Sequence, residues 1–400
     1  MLKKLSMVLI FVFLIGYCEC AVAAEKNEVK QNKAKWTFMV FLNSDNNLNG
    51  YADWEVGDIG EMKRIGSSED INIVVLHDRK ALPALKLFIK KGKVEIIEDI
   101  GEIDMGDYRE VVKFVRWAAE KYPAEKYLLD IWNHGDGWEL TGDLSRKGIS
   151  YDYDSGNYIN TPDLGKAISE IKGILGQNLD VFGMDACQMQ VMEVAYELKD
   201  NVDYIVASQE AEPADGWPYD KILKPLVENP LMSARDLALN IVYAYDDEYK
   251  NTGKPVTQSA IDCSKLEIVY EKIDRLACEL YKIIDQPDMV STVCYKLVPE
   301  LQYYDPNTFD LVHLCQLLIK YFGKNEQLVD AANQVMASVC GMQSSAVIAN
   351  IHYTQYEANS NGLSIYFPQE INTVPFAYGM LKFSKNYWAD FIRAYIERLN

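Results

Sequence analysis

The sequence predicts an α/β fold: a mainly parallel sheet flanked by helices, followed by a largely helical C-terminal subdomain. Three observations carry this. Apolar runs of strand length recur and end in polar or small residues, amphipathic stretches separate them, and after about residue 232 such runs become rare while helical patterns continue. The predicted strands are "WTFMVFLNSDNN", "INIVVLHD", "YLLDIWNH", "LDVFGMDAC" and "VDYIVASQE". Between them, "YREVVKFVRWAAEKY" puts Val111, Val115 and Ala118 on one helical face, and "TPDLGKAISEIKGIL" has the same design. Further on, "SARDLALNIVYAYDDEYK", "CSKLEIVYEKIDRLACELYKII" and "NEQLVDAANQVMASV" read as helices, with "GLSIYFP" as one late strand. A sheet domain over 36–255 and a mainly helical domain over 256–400 follow. In parallel sheets, function gathers at the carboxyl ends of the strands, and His134 and Cys187 both fall there.

The chain has 400 residues, 49% of them hydrophobic, and a formal net charge of −19. That charge repels nucleic acid and anionic membranes and leans toward cationic partners, although a solubilising acidic surface is the commoner reason for it. The first 24 residues, "MLKKLSMVLIFVFLIGYCECAVAA", combine two lysines, an apolar stretch and small residues, the pattern of a cleaved secretory signal. A secreted or periplasmic protein, off the membrane after signal removal, is expected. A lipid anchor through Cys18 or Cys20 is the weaker reading, since Tyr17 and Glu19 stand where small residues are wanted. The six later cysteines form no CxxC pair, which argues against zinc. Cys278, Cys294 and Cys315 are disulfide candidates, with buried thiols an equally good reading. No cofactor is required by the sequence. In the loop after the first strand, Asp45, Asn47, Asn49 and Gly50 match the start of a calcium loop, but Val56 stands where its bidentate glutamate belongs. A strand-to-helix loop is the favoured reading there, and calcium the minority one.

His134 and Cys187 carry the chemistry. Cys187 lies between an apolar strand and the amphipathic run holding Val191, Val194, Ala195 and Leu198, so a helix N-terminus is expected to favour its thiolate. An imidazole beside it would complete a nucleophile and base pair. Taken singly, each is better explained as a core residue. Together, 53 residues apart in the order His then Cys, they have the layout of caspases, whose histidine precedes the cysteine by about 50 residues. His77 also ends a strand, but it lacks a following glycine; His313 and His352 need only core or surface roles.

The segments "NHGDGW", "MDACQMQVMEVAYEL", "ASQEAEPADGWPYD" and "NGLSIYFP" resemble the clostripain family of cysteine peptidases, relatives of caspases, gingipains and legumain. The resemblance implies a caspase-like sheet, His134 and Cys187 as the catalytic dyad, and an oxyanion hole from the N–H groups of Gly135 and Cys187. It implies cleavage of peptides or proteins after Arg or Lys, received by Asp185 and a second acid near Asp215; Trp217 is a candidate pocket wall, with buried packing an equally good reading. Asp185 shares a strand face with Cys187, while capping the next helix is its plainer role. For Asp215, Glu210, Glu212 and Asp220 compete. An enzyme selecting basic residues could cut its own chain at Arg146 or Lys147, in the polar stretch between the dyad residues. A monomer of two associated chains would result. Two alternatives stand beside this reading: a catalytically inactive secreted binding protein on the same scaffold, and a peptidase selecting asparagine or aspartate.

Overall fold

Strand β1 (Ala34–Ser44) sends Phe38, Val40 and Leu42 to one face and Met39 and Phe41 to the other, all of them fully buried. A strand buried on both faces belongs inside a sheet covered by helices. The computed structural model describes residues 33–138, 148–301, 306–341, 344–354, 358–369 and 374–399. All of these lie in the unit Lys33–Asn400. The signal sequence expected over 1–24 and the cleavage residues Arg146 and Lys147 lie outside the described residues.

The central strands are β1, β2 (Ile71–Arg79), β3 (Leu82–Lys90), β4 (Lys93–Gly101), β5 (Ala124–Trp132), β8 (Leu179–Asp185), β9 (Val202–Ala207), β10 (Val256–Asp262) and β12 (Val347–Tyr353). They form one nine-stranded sheet in the order β12-β10-β9-β8-β5-β1-β2-β3-β4. Five of them, β9-β8-β5-β1-β2, are parallel, and antiparallel strands extend both edges. The chain steps from β1 outward to β2, then returns past β1 to β5. This reversal opens a crevice at the carboxyl ends of β1 and β5, where ligands bind in open α/β sheets. Outside the sheet, β6 (Ile149–Asp152) pairs with β7 (Asn157–Ile159), and β11 (Thr308–Asp310) with β13 (Ser364–Tyr366).

Helices α1 (Asp58–Ile65), α5 (Tyr219–Glu228) and α6 (Ala234–Tyr249) cover the face that carries Phe38 and Val40. The other face is covered by α2 (Tyr108–Lys121), α3 (Thr161–Leu175) and α4 (Met192–Leu198). Against these pack α7 (Leu266–Ile283), α9 (Leu311–Phe322), α10 (Glu326–Val339) and α11 (Tyr387–Leu399), while the short α8 spans Met289–Thr292. The ends of α3 follow from its sequence. The Asn160 side chain accepts from the Asp163 N–H, and Gly176 takes the left-handed conformation at the other end.

The C-terminal part is helical as expected, but it also supplies β10 and β12 to the sheet. Thr257, Gln258 and Ser259 of β10 are polar yet fully or almost fully buried. Hydrogen bonds make that tolerable: Thr257 Oγ1 accepts from the Gln209 N–H at 3.1 Å, and the Ser259 carbonyl from Gln190 Nε2 at 3.0 Å. A strand buried through its polar groups leaves no apolar signature.

Glu193 of α4 is wholly buried. Its Oε1 accepts from Tyr378 Oη at 3.2 Å, and burial pushes its carboxyl up to about 8. The folded chain therefore holds a proton that the unfolded chain loses near pH 4.3. A pKa raised by folding contributes stability that is complete below the unfolded value and lost as pH rises through the folded one. The Tm is expected to fall by roughly 5 °C or more between pH 5 and pH 8. In Glu193→Gln part of that slope should disappear; thermal melts at stepped pH check it.

Candidate active site

Strand β5 delivers Asn133 and His134 to the crevice. Asn133 ties three segments together: its Nδ2 donates to the Asn43 carbonyl at 2.6 Å, and its Oδ1 accepts from the Tyr151 N–H at 2.6 Å. His134 then lies with Nε2 2.8 Å from Asn47 Oδ1, an oxygen that also accepts from Tyr153 Oη at 3.0 Å. Because a carbonyl oxygen only accepts, this contact puts an imidazole proton on Nε2. Asn47 is thus an orienting group for the histidine, a role for which the sequence offered no candidate. It comes from the loop after β1, the strand next to β5.

Strand β8 delivers Asp185, and Cys187 follows two residues later. Here the structure corrects the expectation of a helix N-terminus: α4 starts only at Met192, with Val191 before it. Cys187 instead occupies a tight turn in which Gln188 has a left-handed φ of 59°. Backbone bonds pin this turn to the chain beyond β9, from Gln188 N–H to the Glu210 carbonyl at 3.0 Å and from Gln190 N–H to the Ser208 carbonyl at 2.9 Å. The Glu212 N–H donates to Cys187 Sγ at 3.2 Å. Burial pushes the thiol up; the Glu212 N–H opposes it, and the Asp136 and Asp185 carboxylates push the same way as burial. The resting sulfur is therefore held as a thiol.

His134 and Cys187 together line two adjoining cavities. One, of about 320 Å³, also has Gly135, Asp136, Tyr151, Tyr153, Gln188 and Ala211 in its wall. The other, of about 290 Å³, is bounded by Asn47, Trp132, Asp185, Glu212 and Gly216 among others. The two side chains stand where the cavities meet. Gly135 is packed against the cysteine turn: a Cβ there would lie 2.5 Å from the Cys187 carbonyl oxygen and 2.9 Å from Met189 Cγ. Glycine is needed at 135 for that approach.

The second cavity is strongly acidic. Asp185 Oδ2 accepts from the Trp217 N–H and from Tyr219 Oη, each at 3.0 Å, and so does not cap the following helix. Tyr219 Oη also meets Asp130 Oδ2 at 2.6 Å, and the Asp185 N–H donates to Asp130 Oδ1 at 3.1 Å. Glu212 and Asp58 complete a group of four carboxyls. Burial first, and then their mutual repulsion, pushes Asp58, Asp130 and Glu212 above the usual carboxylate range, and burial does the same to Asp185. None of the four has an ion pair with a lysine or arginine among the described residues.

The other expected residues lie elsewhere. Asp215 is largely exposed and pairs with Lys254. Trp217 is fully buried under β8, its ring against Gly183, so only its backbone N–H serves the site. His77 is buried with Nε2 2.9 Å from Ser44 Oγ, and burial drops it to about 3, so it stays a neutral core residue. Asn49 turns toward Lys80 and Asn47 toward His134, so the calcium-like loop does not converge. All six described cysteines are free thiols. No described helix is long and apolar enough to cross a membrane.

Comparison with known proteins agrees with this arrangement. Residues 40–395 match the model of the clostripain family. Clostripain of Hathewaya histolytica is 25% identical over 417 residues, covering 87% of this chain and 77% of that protein. An inactive zymogen C11 protease from Parabacteroides distasonis superposes with a TM-score of 0.64 at 21% identity, covering 90% of this chain and 98% of its own. A secreted C11 cysteine protease from Bacteroides thetaiotaomicron, solved with an irreversible peptide inhibitor, gives 0.64 at 23% identity, covering 90% and 99%. The expected caspase-like sheet is thereby the observed one, and the chain belongs to the clostripain family of cysteine endopeptidases.

Proposed function

We propose that the protein is an exported endopeptidase that cleaves after arginine or lysine by a dyad of Cys187 and His134. The observation that carries this is the group of four buried carboxyls without a counter-cation directly beside the cysteine. Such a site holds protons until a guanidinium or ammonium group enters and replaces them. Asp185 and Glu212 are the acids that border the cavity itself. Glu212 thus takes the place that the sequence assigns to Asp215.

In this reading His134 Nδ1 withdraws the thiol proton, and Cys187 Sγ attacks the scissile carbonyl carbon. The oxyanion is held by the N–H groups of Gly135 and Cys187, whose backbones the close approach at Gly135 brings side by side. The imidazolium returns its proton to the leaving amine. His134 then takes a proton from water, which releases the acyl group and restores the thiol. Asn47 holds the ring through these steps.

The export reading rests on the first 24 residues and agrees with a family member described as secreted. Self-cleavage at Arg146 or Lys147 would leave the halves associated, because β5 lies before the cut and its sheet partner β8 after it.

A panel of fluorogenic peptides ending in arginine, lysine, asparagine and aspartate tests the specificity. Basic residues are expected to exceed the other two by about 10³-fold or more in kcat/KM, the worth of pairing a desolvated charge. Equal turnover of the asparagine or aspartate peptide would refute the reading, and silence on all four would favour the inactive binding protein.

A further inference from the structure

The two cavities that meet at the dyad share only His134 and Cys187. With an arginine or lysine side chain seated in the acidic one, the peptide that leaves past the His134 imidazole crosses the other, of about 320 Å³. Its wall is built from the residues that follow the two catalytic ones, Gly135, Asp136 and Gln188, and from Tyr151 and Tyr153 of the β6 strand and turn. Among the described residues Asp136 supplies the one carboxylate of that wall, and it pairs with no lysine or arginine.

The carboxylate is exposed but firmly placed. Its two chain neighbours are glycines packed on the cysteine turn: a Cβ at Gly135 would lie 2.5 Å from the Cys187 carbonyl oxygen, and one at Gly137 3.1 Å from that of Gln188. The Asp136 N–H donates to the Gly148 carbonyl at 3.0 Å, and Tyr151 Oη donates to Asp136 Oδ2 at 2.9 Å. The Tyr151 ring in turn stands edge-on to His134, the centroids 6.5 Å apart. A side chain entering this cavity therefore meets a fixed negative charge beside aromatic rings. That combination attracts ammonium and guanidinium groups and repels carboxylates. Asp136 also acts on the sulfur, since its charge is one of the causes that push the Cys187 thiol up. A cation held at Asp136 offsets that push and eases formation of the thiolate.

We propose that this cavity receives the residue on the leaving side of the scissile bond, and that Asp136 makes it select a basic one, so that the enzyme cuts best between two basic residues. The proposal rests on the reading of the acidic cavity as the seat of the arginine or lysine before the cut. The chain carries one such pair between the dyad residues, Arg146 followed by Lys147. A cut between these two would place Arg146 at Asp185 and Lys147 at Asp136.

The test uses internally quenched peptides that share one arginine before the cut and carry lysine, norleucine or glutamate after it. Products are identified by mass, so that only cleavage directly after the arginine is counted. Norleucine keeps the apolar stem of lysine without its charge. Wild-type protein is expected to favour lysine over norleucine by about 3- to 10-fold in kcat/KM, the worth of an exposed ion pair reinforced by aromatic faces, and norleucine over glutamate by a similar factor. In Asp136→Asn, which keeps an acceptor for Tyr151 Oη, the ratio of lysine to norleucine should fall close to one. Asp136→Lys should reverse the order and favour glutamate over lysine, a change that mere loosening of the loop would not produce. Equal turnover of all three peptides by wild-type protein, or an undiminished lysine preference in both variants, would overturn the subsite and leave the arginine reading intact. No cleavage of any arginine peptide would overturn that reading and the subsite with it.

Discussion

Asp185→Asn is expected to lower kcat/KM for arginine-ended peptides by about 10²- to 10³-fold, the effect of removing one partner from a desolvated charge pair. Asparagine keeps the shape and an acceptor for the Trp217 N–H, so the loop around Gly216 should hold. That loop is close-fitting: Gly216 has φ 61°, and a Cβ on it would lie 2.9 Å from Asp185 Oδ2. Citrulline, an uncharged isostere of arginine, separates charge from shape. Wild-type protein should prefer arginine to citrulline by about 10³-fold, and Asp185→Asn should nearly erase the preference with citrulline turnover unchanged. Equal losses on both peptides would mean that Asp185 serves only to hold the loop.

The same acid sets a pH dependence. Burial holds the Asp185 carboxyl above the usual carboxylate range, so part of the free protein carries a proton there at mildly acidic pH. A guanidinium binds only after that proton leaves. For arginine peptides kcat/KM should therefore rise with pH through the raised value, and binding of an arginine-ended inhibitor should release protons below neutrality. Both effects should shrink in Asp185→Asn, with the raised Glu212 carboxyl left as the remaining acid of the cavity. Titrations in buffers of different ionisation heat measure the release directly.

Which parts of this were legible in the sequence depended on whether a residue's role showed in its neighbours. The strands that end at His134 and Asp185 are plain apolar runs, and the chemistry stands where those runs stop. Asp130 went unread although it stands as a lone carboxylate inside "YLLDIW"; its Oδ1 accepts from the Asp185 N–H. Glu212 was not separable from Asp215, because only the folded loop shows Glu212 lining the cavity and Asp215 turned out to Lys254. Asn47 was hidden for another reason: the pairing of β1 with β5 brings its loop to His134, and that contact spans 87 residues. The distance from Cys187 to the helix was misjudged because "CQMQVMEV" keeps an apolar rhythm through a turn whose Gln188 reverses the chain. Strand β10 escaped since its burial depends on hydrogen bonds, and β12 is a half-buried edge strand. Periodicity found the layers, and spatial neighbours across the sheet supplied the rest of the site.

Cys187→Ala should abolish peptide cleavage, at least about 10⁴-fold, since a nucleophile that forms the covalent intermediate has no substitute. On denaturing gels the same variant should run as one chain, where wild-type protein shows two fragments from a cut at Arg146 or Lys147. On a native sizing column the wild-type fragments should elute together. The sheet explains why: the N-terminal fragment carries β1, β2 and β5, the C-terminal one β8, β9 and β10, and the β5–β8 pairing from Leu128 with Val181 to Trp132 with Asp185 crosses the cut. Asn133 accepting from Tyr151, and the Gly135–Ile149 bridge, add further links between the fragments. The chain would thus be severed while the dyad, with one member on each fragment, stays assembled. Fragments in the Cys187→Ala sample would assign the cut to another protease, and separation of wild-type fragments without denaturant would contradict a dyad held across two chains. Intact wild-type chains with full peptidase activity would remove the need for maturation and leave the dyad standing.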